Sequence, residues 1–331
     1  MRGSRRLWLL LTLLGVTTAA LCGANPVHAI EGNTAAGPIG GTDIRSALLP
    51  PPGVYGGIIG LGSRVREIKD GNGDDVPGLN AIQLTALIAA PIFIYVPDAK
   101  ILDGSIGVFG AFPGGKECGQ LISFVPRQCI SGFGDPYFEV AWSRSFGQLR
   151  PSRYPGALPI MEGLTFGVSI GAVLPIGHYD AQLQQANGVT IGNNTFDIAP
   201  SLALTYTTPP ILFEGTEFSA KMYWNNYLTN AETHYKAGSL IDIDFAISEH
   251  IGRFQVGIAG FYAFQVADDR IFGVPLQPDG RQLRYMTLGG VLNYDIPEIG
   301  AIFRVKALTT VIARNSVVSQ TLVVGFAKKL Y

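Results

Sequence analysis

Phe196-Asp197-Ile198-Ala199-Pro200-Ser201-Leu202-Ala203-Leu204-Thr205-Tyr206 is the stretch that decides the fold. Phe196, Ile198, Leu202, Leu204 and Tyr206 fall on one face of an extended chain, and Asp197, Ser201 and Thr205 on the other. That period of two belongs to a β-strand lying between two media. Leu240 to Ile247 repeats it, with Ile241, Ile243, Phe245 and Ile247 opposed to Asp242 and Asp244. In Ile302 to Arg314, Phe303, Val305, Ala307 and Val311 share one phase, and Arg304, Lys306 and Arg314 the other. Segments of about ten residues with such alternation are the mark of a barrel spanning the outer membrane. A charge facing the bilayer midplane costs about 2 to 4 kcal/mol in such a barrel, so the charged rows are assigned to the lumen. A soluble β-sandwich also alternates, and stands as the competing architecture.

Three features favour the membrane. Arg2, Arg5 and Arg6 precede the apolar run Leu7 to Leu14, and Val27-His28-Ala29 fits a small-x-small cleavage site, which reads as a secretory signal over residues 1–29. Charged residues make up 15% of the chain, against about 25% in soluble domains, and the mean hydropathy is +0.26. No mature segment makes a good membrane helix. The best candidate, Ala81 to Val96, contains Gln83, Thr85 and Pro91 and as a helix would span only about 24 Å. As a strand its row Ile82, Leu84, Ala86, Ile88, Ala90, Ile92 and Ile94 is expected to face lipid. Leu87, Ala89 and Phe93 would then face inward, against a plug or loop.

The third feature is connection length. Strands are expected at 53–62, 81–96, 105–112, 133–144, 164–174, 195–206, 217–224, 240–247, 254–266, 283–294, 301–313 and 319–331, an even set of about twelve that returns both ends to the periplasm. The links at 63–80, 113–132, 175–194, 225–239 and 267–282 are long, as outside loops are. Those at 248–253 and 295–300 are short, as periplasmic turns are, and 145–163 is the exception. The expected organisation is therefore a signal (1–29), a periplasmic segment or plug (30–52) and one all-β transmembrane antiparallel barrel (53–331). Tyr331 supplies the terminal aromatic favoured by the barrel-assembly machinery, which is an expected partner together with outer-membrane lipid.

Cys118 and Cys129 are the cysteines left after signal removal, and an exported chain meets an oxidising compartment. They are expected to pair, stabilising the outside loop that holds them by about 3 kcal/mol on the chain-entropy model.

Several segments, in order along nearly the whole mature chain, carry a resemblance. They are Leu48-Leu49-Pro50-Pro51-Pro52-Gly53-Val54-Tyr55, Gly132-Phe133-Gly134-Asp135-Pro136, and Leu174-Pro175-Ile176-Gly177-His178-Tyr179-Asp180. Gly215-Thr216-Glu217-Phe218-Ser219-Ala220, Tyr223-Trp224-Asn225-Asn226-Tyr227-Leu228-Thr229-Asn230, Phe261-Tyr262-Ala263-Phe264-Gln265-Val266-Ala267-Asp268-Asp269 and Arg314-Asn315 continue it. The set resembles the outer-membrane family involved in the meta-pathway of phenol degradation. The resemblance implies an outer-membrane barrel tied to the catabolism of aromatic or other hydrophobic compounds, aiding their entry as a passive channel.

The inward rows offer carboxylates (Asp135, Glu139, Asp197, Asp242, Asp244) and cations (Lys221, Arg304, Lys306) as candidate lumen groups. Opposed charges either orient a polar solute in an open lumen or pair into salt bridges that close a narrow one. The segment Ile30 to Ala47 is either a mobile mature N-terminus or an inward-folded plug. A structural or general-diffusion barrel with no catabolic role is the alternative function. His178 with Asp180, and Asp268-Asp269, are the one loose catalytic constellation, and polar loop residues of this kind are ordinary in outside loops. A net charge of -1 with no basic run in the mature chain gives no footing for nucleic acid. No metal spacing or nucleotide loop is visible, so no metal or cofactor is expected.

Overall fold

The computed structural model describes residues 42–331. The expected signal over 1–29 and most of the 30–52 segment lie outside the described residues.

Alternation becomes strand throughout. In chain order the strands are β1 (Gly53–Lys69), β2 (Gln83–Val96), β3 (Lys100–Ile101), β4 (Gly104–Ala111), β5 (Gly114–Gln120), β6 (Gln128–Phe133), β7 (Tyr137–Arg150), β8 (Ile160–Val173) and β9 (Asp197–Thr207). They continue with β10 (Thr216–Tyr227), β11 (Tyr235–Lys236), β12 (Leu240–Ile251), β13 (Phe254–Gln265), β14 (Arg270–Ile271), β15 (Val274–Pro275), β16 (Arg284–Ile296), β17 (Ala301–Arg314) and β18 (Ser316–Lys329). Each long strand pairs antiparallel with its neighbours, β18 pairs with β1, and β2 pairs with β4, so the sheet closes on itself. Closure removes both free edges, which is the condition for a sheet to cross lipid.

The barrel has twelve staves, two of them jointed. Along β2, Ile92 to Tyr95 face β4, while Gln83 to Ala89 face β5. Strands β4 and β5 are thus one stave interrupted at Phe112-Pro113, where Phe112 donates its N–H to the carbonyl of Pro91. β6 and β7 form the next stave, interrupted at 134–136. The expected outside loop at 113–132 is therefore largely a hairpin, and its disulfide joins directly opposed residues Cys118 and Cys129 across β5 and β6. Several other boundaries also move. β1 runs on to Lys69, taking over the start of the expected outside link, and β7 and β8 extend toward each other, shrinking the anomalous 145–163 link to 151–159.

Both barrel ends of the chain meet at one rim, where Val54 donates to the carbonyl of Tyr331 at 3.0 Å. That rim carries tight turns such as Gly252-Arg253 and the 3-10 turn Pro297–Ile299, as the side expected to be periplasmic does. Glu214, in the turn between β9 and β10, gathers the rim together. It accepts from Ser152 Oγ at 2.8 Å, from the Arg153 N–H at 2.5 Å and from the Gly252 N–H at 3.0 Å. Burial alone would raise its carboxyl, but these donors outweigh burial and hold it below its ordinary value.

The outer connections are longer. The 174–196 loop carries helix α1 (Ala181–Asn187), capped by Asp180, which accepts the Leu183 N–H at 2.9 Å, and ended by Gly188 at φ 70°. The loop folds onto the hairpin: Asn187 Nδ2 donates to the carbonyls of Gly119 and Pro126, and Val189 is buried with Ile68, Leu84, Leu121 and Ile130. A Cβ at position 119 would stand 2.2 Å from the Asn187 carbonyl oxygen, so glycine is what permits the approach.

Candidate functional site

Outside, the wall is apolar. Leu87, Phe93, Ile170, Leu204, Trp224, Ile247, Ile258 and Leu322 are all exposed, which suits a lipid belt. The lumen divides into two halves.

The first half is charged and filled. Glu139 on β7 and Lys221 on β10 meet across the interior, Nζ to Oε1 at 2.5 Å, with both side chains under 10% exposed. Tyr137 Oη donates to the other oxygen of Glu139 at 2.5 Å, and the ammonium of Lys221 stands 4.7 Å from the Tyr223 ring centroid. Residues 42–47 enter this half as a plug. Asp43, fully buried, receives Lys306 Nζ at 2.5 Å and Arg304 at 3.3 Å. Thr42 donates to Asp244 Oδ2 from both its hydroxyl, at 2.5 Å, and its N–H, at 3.1 Å. Arg45 forms a forked pair with Asp295 at 2.9 and 3.1 Å and gives its N–H to Glu217 at 2.7 Å. Ser46 and Ala47 bond to Ser219, Thr205 and Ser143. The plug is thus bonded to strands β7, β9, β10, β12, β16 and β17.

Three candidate groups stand apart from this network of pairs. Asp242 has neither oxygen hydrogen-bonded among the described residues, although it is 1% exposed. Asp197 accepts the Asn226 N–H at 2.8 Å through one oxygen, and its other oxygen has no partner among the described residues. Asp135 is on no strand: it sits at the β6–β7 joint and takes the N–H groups of Gly177 and Asn193 at 2.8 and 2.6 Å, pinning the 174–196 loop. Arg314 departs from the charged lumen row. Register shifts opposite Met286/Thr287, and beyond that irregularity Arg314 stands exposed opposite Arg284 on the outer face.

Between its rims the second half bears no inward charge and is mainly aliphatic. Register carries the inward phase from Ser319, Thr321 and Val323 on β18 to Val65, Ser63 and Leu61 on β1, and on to Leu84, Ala86 and Ile88 on β2. The row Leu84 to Ile94 therefore faces the lumen, and Leu87, Ala89 and Phe93 face lipid, the reverse of the sequence expectation. Both rows of β2 are apolar, so its own pattern has no phase, and only the polar neighbours in register decide it. Ile59, Leu61, Ile88, Ile92 and Ile94 remain partly exposed while pointing inward. A cavity of about 620 Å³ borders this wall, with the inward-facing Ser63, Ala86, Gly289, Leu308 and Thr321 among its lining residues. None of the plug's hydrogen bonds described above reaches β18, β1 or β2.

Among the described residues, the members of the loose histidine and aspartate set are engaged in other bonds. His178 Nδ1 lies 3.0 Å from the Ser131 carbonyl, and Asp180 caps α1. Asp269 is taken by Tyr235, Gly238 and Gln265, and burial pushes its carboxyl above the ordinary value against those donors.

What the sequence left undecided is the plug. Its trace was the pair Asp43 and Arg45 within a stretch rich in Gly, Thr and Ala, complementary in sign to Lys306 and to Asp295.

A closed, lipid-belted antiparallel barrel of twelve staves with a partly filled lumen defines a transmembrane barrel of the outer-membrane type. The chain belongs to the family described as the putative MetA-pathway of phenol degradation, whose model matches residues 66–324. Its fold is similar to that of an outer membrane channel from Pseudomonas putida F1, with a TM-score of 0.67 at 12% identity, over 85% of this chain and 97% of that one. The translocator domain of the autotransporter NalP from Neisseria meningitidis superposes with a TM-score of 0.43 at 5% identity, over 86% of this chain and 91% of that one. The toluene transporter TodX from Pseudomonas putida gives 0.37 at 10% identity, over 91% of this chain and 96% of that one. The last two are too distant in geometry to bear on function. No curated protein matches this chain.

Proposed function

We propose that the protein is a passive outer-membrane channel for small aromatic or other hydrophobic compounds, and that it acts without catalysis. The observation that carries this reading is the inward apolar wall of β1 and β2, where Ile59, Leu61, Ile88, Ile92 and Ile94 are partly exposed inside a barrel whose outer face already satisfies the lipid. A water-filled pore gains nothing from such a surface, whereas an apolar solute is stabilised by leaving water for it. Membership of a phenol-degradation family supports the same solute class.

A second reading is a structural barrel with no catabolic role, and the buried ion pairs around Asp43 favour it, since they close half of the lumen. The two separate on solute dependence. Initial uptake of labelled phenol, benzoate and a fatty acid would be measured at limiting concentration in cells lacking the protein and in cells complemented with it. A loss confined to one solute class and restored by complementation is expected; equal uptake of all three in both strains would leave the structural reading.

A further inference from the structure

The outer wall carries a second pattern that transport does not use. Thr85 stands ten residues up β2 from Tyr95, and Arg284 ten residues up β16 from Tyr294, both tyrosines lying near the periplasmic rim. At about 3.4 Å per residue and a tilt of about 40°, each climb is about 26 Å, the height of the apolar belt. These positions therefore meet the headgroups of the outer leaflet.

At that height one arc of the wall is cationic. Arg64 is directly opposite Gln320 on β18 and Thr85 on β2, and Gln320 is opposite Thr309 on β17, so a polar row crosses four strands on the outward face. Arg127 Nη2 donates to Thr85 Oγ1 at 2.8 Å, which brings a second guanidinium beside Arg64. Lys116 lies just below, opposite Leu87, and Arg66 just above, at the β1 irregularity. Further round, Arg284 and Arg314 are directly opposed. All six cations are exposed, and among the described residues none forms an ion pair. Glu67, the nearest acid on β1, is held by Lys69 at 2.8 Å.

Like charges directly opposed across strands destabilise a sheet, so the Arg284/Arg314 pair calls for an anion from outside the chain. The other arc differs. Moving across from Arg284, the outward positions are Phe264, Ile241 and Trp224.

We propose that this arc binds the phosphorylated glycolipid of the outer leaflet, lipid A. One phosphate is bridged by Arg64 and Arg127 and the other by Arg284 and Arg314, whose planar forks suit phosphate oxygens. Strands β1 and β17 are two spacings apart, about 10 Å. Arg314 lies four ladder steps beyond Thr309, the β17 residue in line with Arg64, so the backbone anchors of the two pairs are roughly 17 Å apart, a span the long arginine side chains shorten. Gln320 and Thr309 between them face the sugars. The acyl chains lie below, against Leu322 and Leu87.

The test is native mass spectrometry of the mature protein folded in detergent, with folding checked by heat-modifiable gel migration. The probes are diphosphoryl lipid A, the same lipid with both phosphates removed, and phosphatidylglycerol. The variants are R64Q/R127Q/R284Q/R314Q and, as a control at the periplasmic rim, Lys328→Gln. The wild type and Lys328→Gln should retain diphosphoryl lipid A and lose it when the phosphates are absent, and the quadruple variant should retain little. Equal retention of the dephosphorylated lipid or of phosphatidylglycerol by the wild type would overturn the proposal without reference to any variant. So would full retention by the folded quadruple variant, or an equal loss in Lys328→Gln.

Discussion

Strands β7, β10, β12 and β17 and strands β18, β1 and β2 line one lumen with opposite chemistry. On the first side each buried cation meets an acid, as Lys306 and Arg304 meet Asp43 and Lys221 meets Glu139, while Asp242 stands without a hydrogen bond among the described residues. On the second side the wall between the rims is uncharged, aliphatic along β2 with the hydroxyls of Ser63, Ser319 and Thr321 beside it, and left free by the plug's hydrogen bonds. The difference teaches that charge in this narrow barrel serves closure, because ions taken from water must be paired. On the function proposed above, passage falls to the mainly aliphatic surface that the plug does not bond.

The largest effect expected from breaking this arrangement is at Asp43. Asp43→Ala removes the bridging carboxylate of the fully buried Lys306 ammonium and leaves it only the nearby Asp244 charge, which should lower stability by about 3 kcal/mol and loosen the plug. Lower resistance to thermal unfolding on gels and a raised conductance in planar bilayers would be the readouts. Asp43→Leu with Lys306→Met should restore only part of the stability, since the apolar pair replaces the Asp43–Lys306 bridge but leaves Arg304 without Asp43 and Asp244 without the nearby ammonium.

On the apolar side, Ile88→Asn combined with Ile92→Asn puts two amides where register offers Leu61 and Gly57 as neighbours. Folding should persist, because both positions are partly exposed. Uptake of a limiting aromatic solute should fall severalfold while small-ion conductance is little changed.

A smaller effect is expected at the hairpin that extends this half outward. Cys118→Ser with Cys129→Ser removes a closure worth up to about 3 kcal/mol on the chain-entropy model. The β5–β6 hairpin pairs with β2 on its free side, so the loss should be local. Faster amide exchange confined to 114–133 is the expected signature.

Asp242→Asn should have the smallest effect and the opposite sign. Both carboxylate oxygens are buried without hydrogen bonds among the described residues, beside Asp244. The amide gains no hydrogen bond there, but it removes an ionisable carboxyl from beside Asp244, so stability should rise by about 1 kcal/mol, read by thermal unfolding.

The strand pattern, the barrel class and the cysteine pair were legible because each rests on local signals: alternation, turn length and compartment. β9, β10 and β12 have one polar and one apolar row, so their phase could be read alone. β2 has two apolar rows, and its phase became visible only when pairing placed Leu84 beside Val65 and Val65 beside Ser319. Arg314 was misplaced because a single extra residue in β17 reverses every later side chain. Asp135 was assigned to a wall and proved to be a loop anchor, since the joint at 134–136 leaves no alternation to detect. The plug was the least legible part, because its contacts lie 96 to 263 residues away in sequence, and only the complementary signs of Asp43 and Arg45 foreshadowed them.

The central claim, passage along the apolar half and closure by the charged half, is tested most directly by one uptake experiment. Initial entry of labelled phenol at limiting concentration would be compared in cells lacking the protein and in cells carrying the wild type, I88N/I92N or D242N, at matched levels of folded barrel. The account predicts wild-type uptake with D242N and uptake near that of the deletion strain with I88N/I92N. Loss with D242N and retention with I88N/I92N would contradict it.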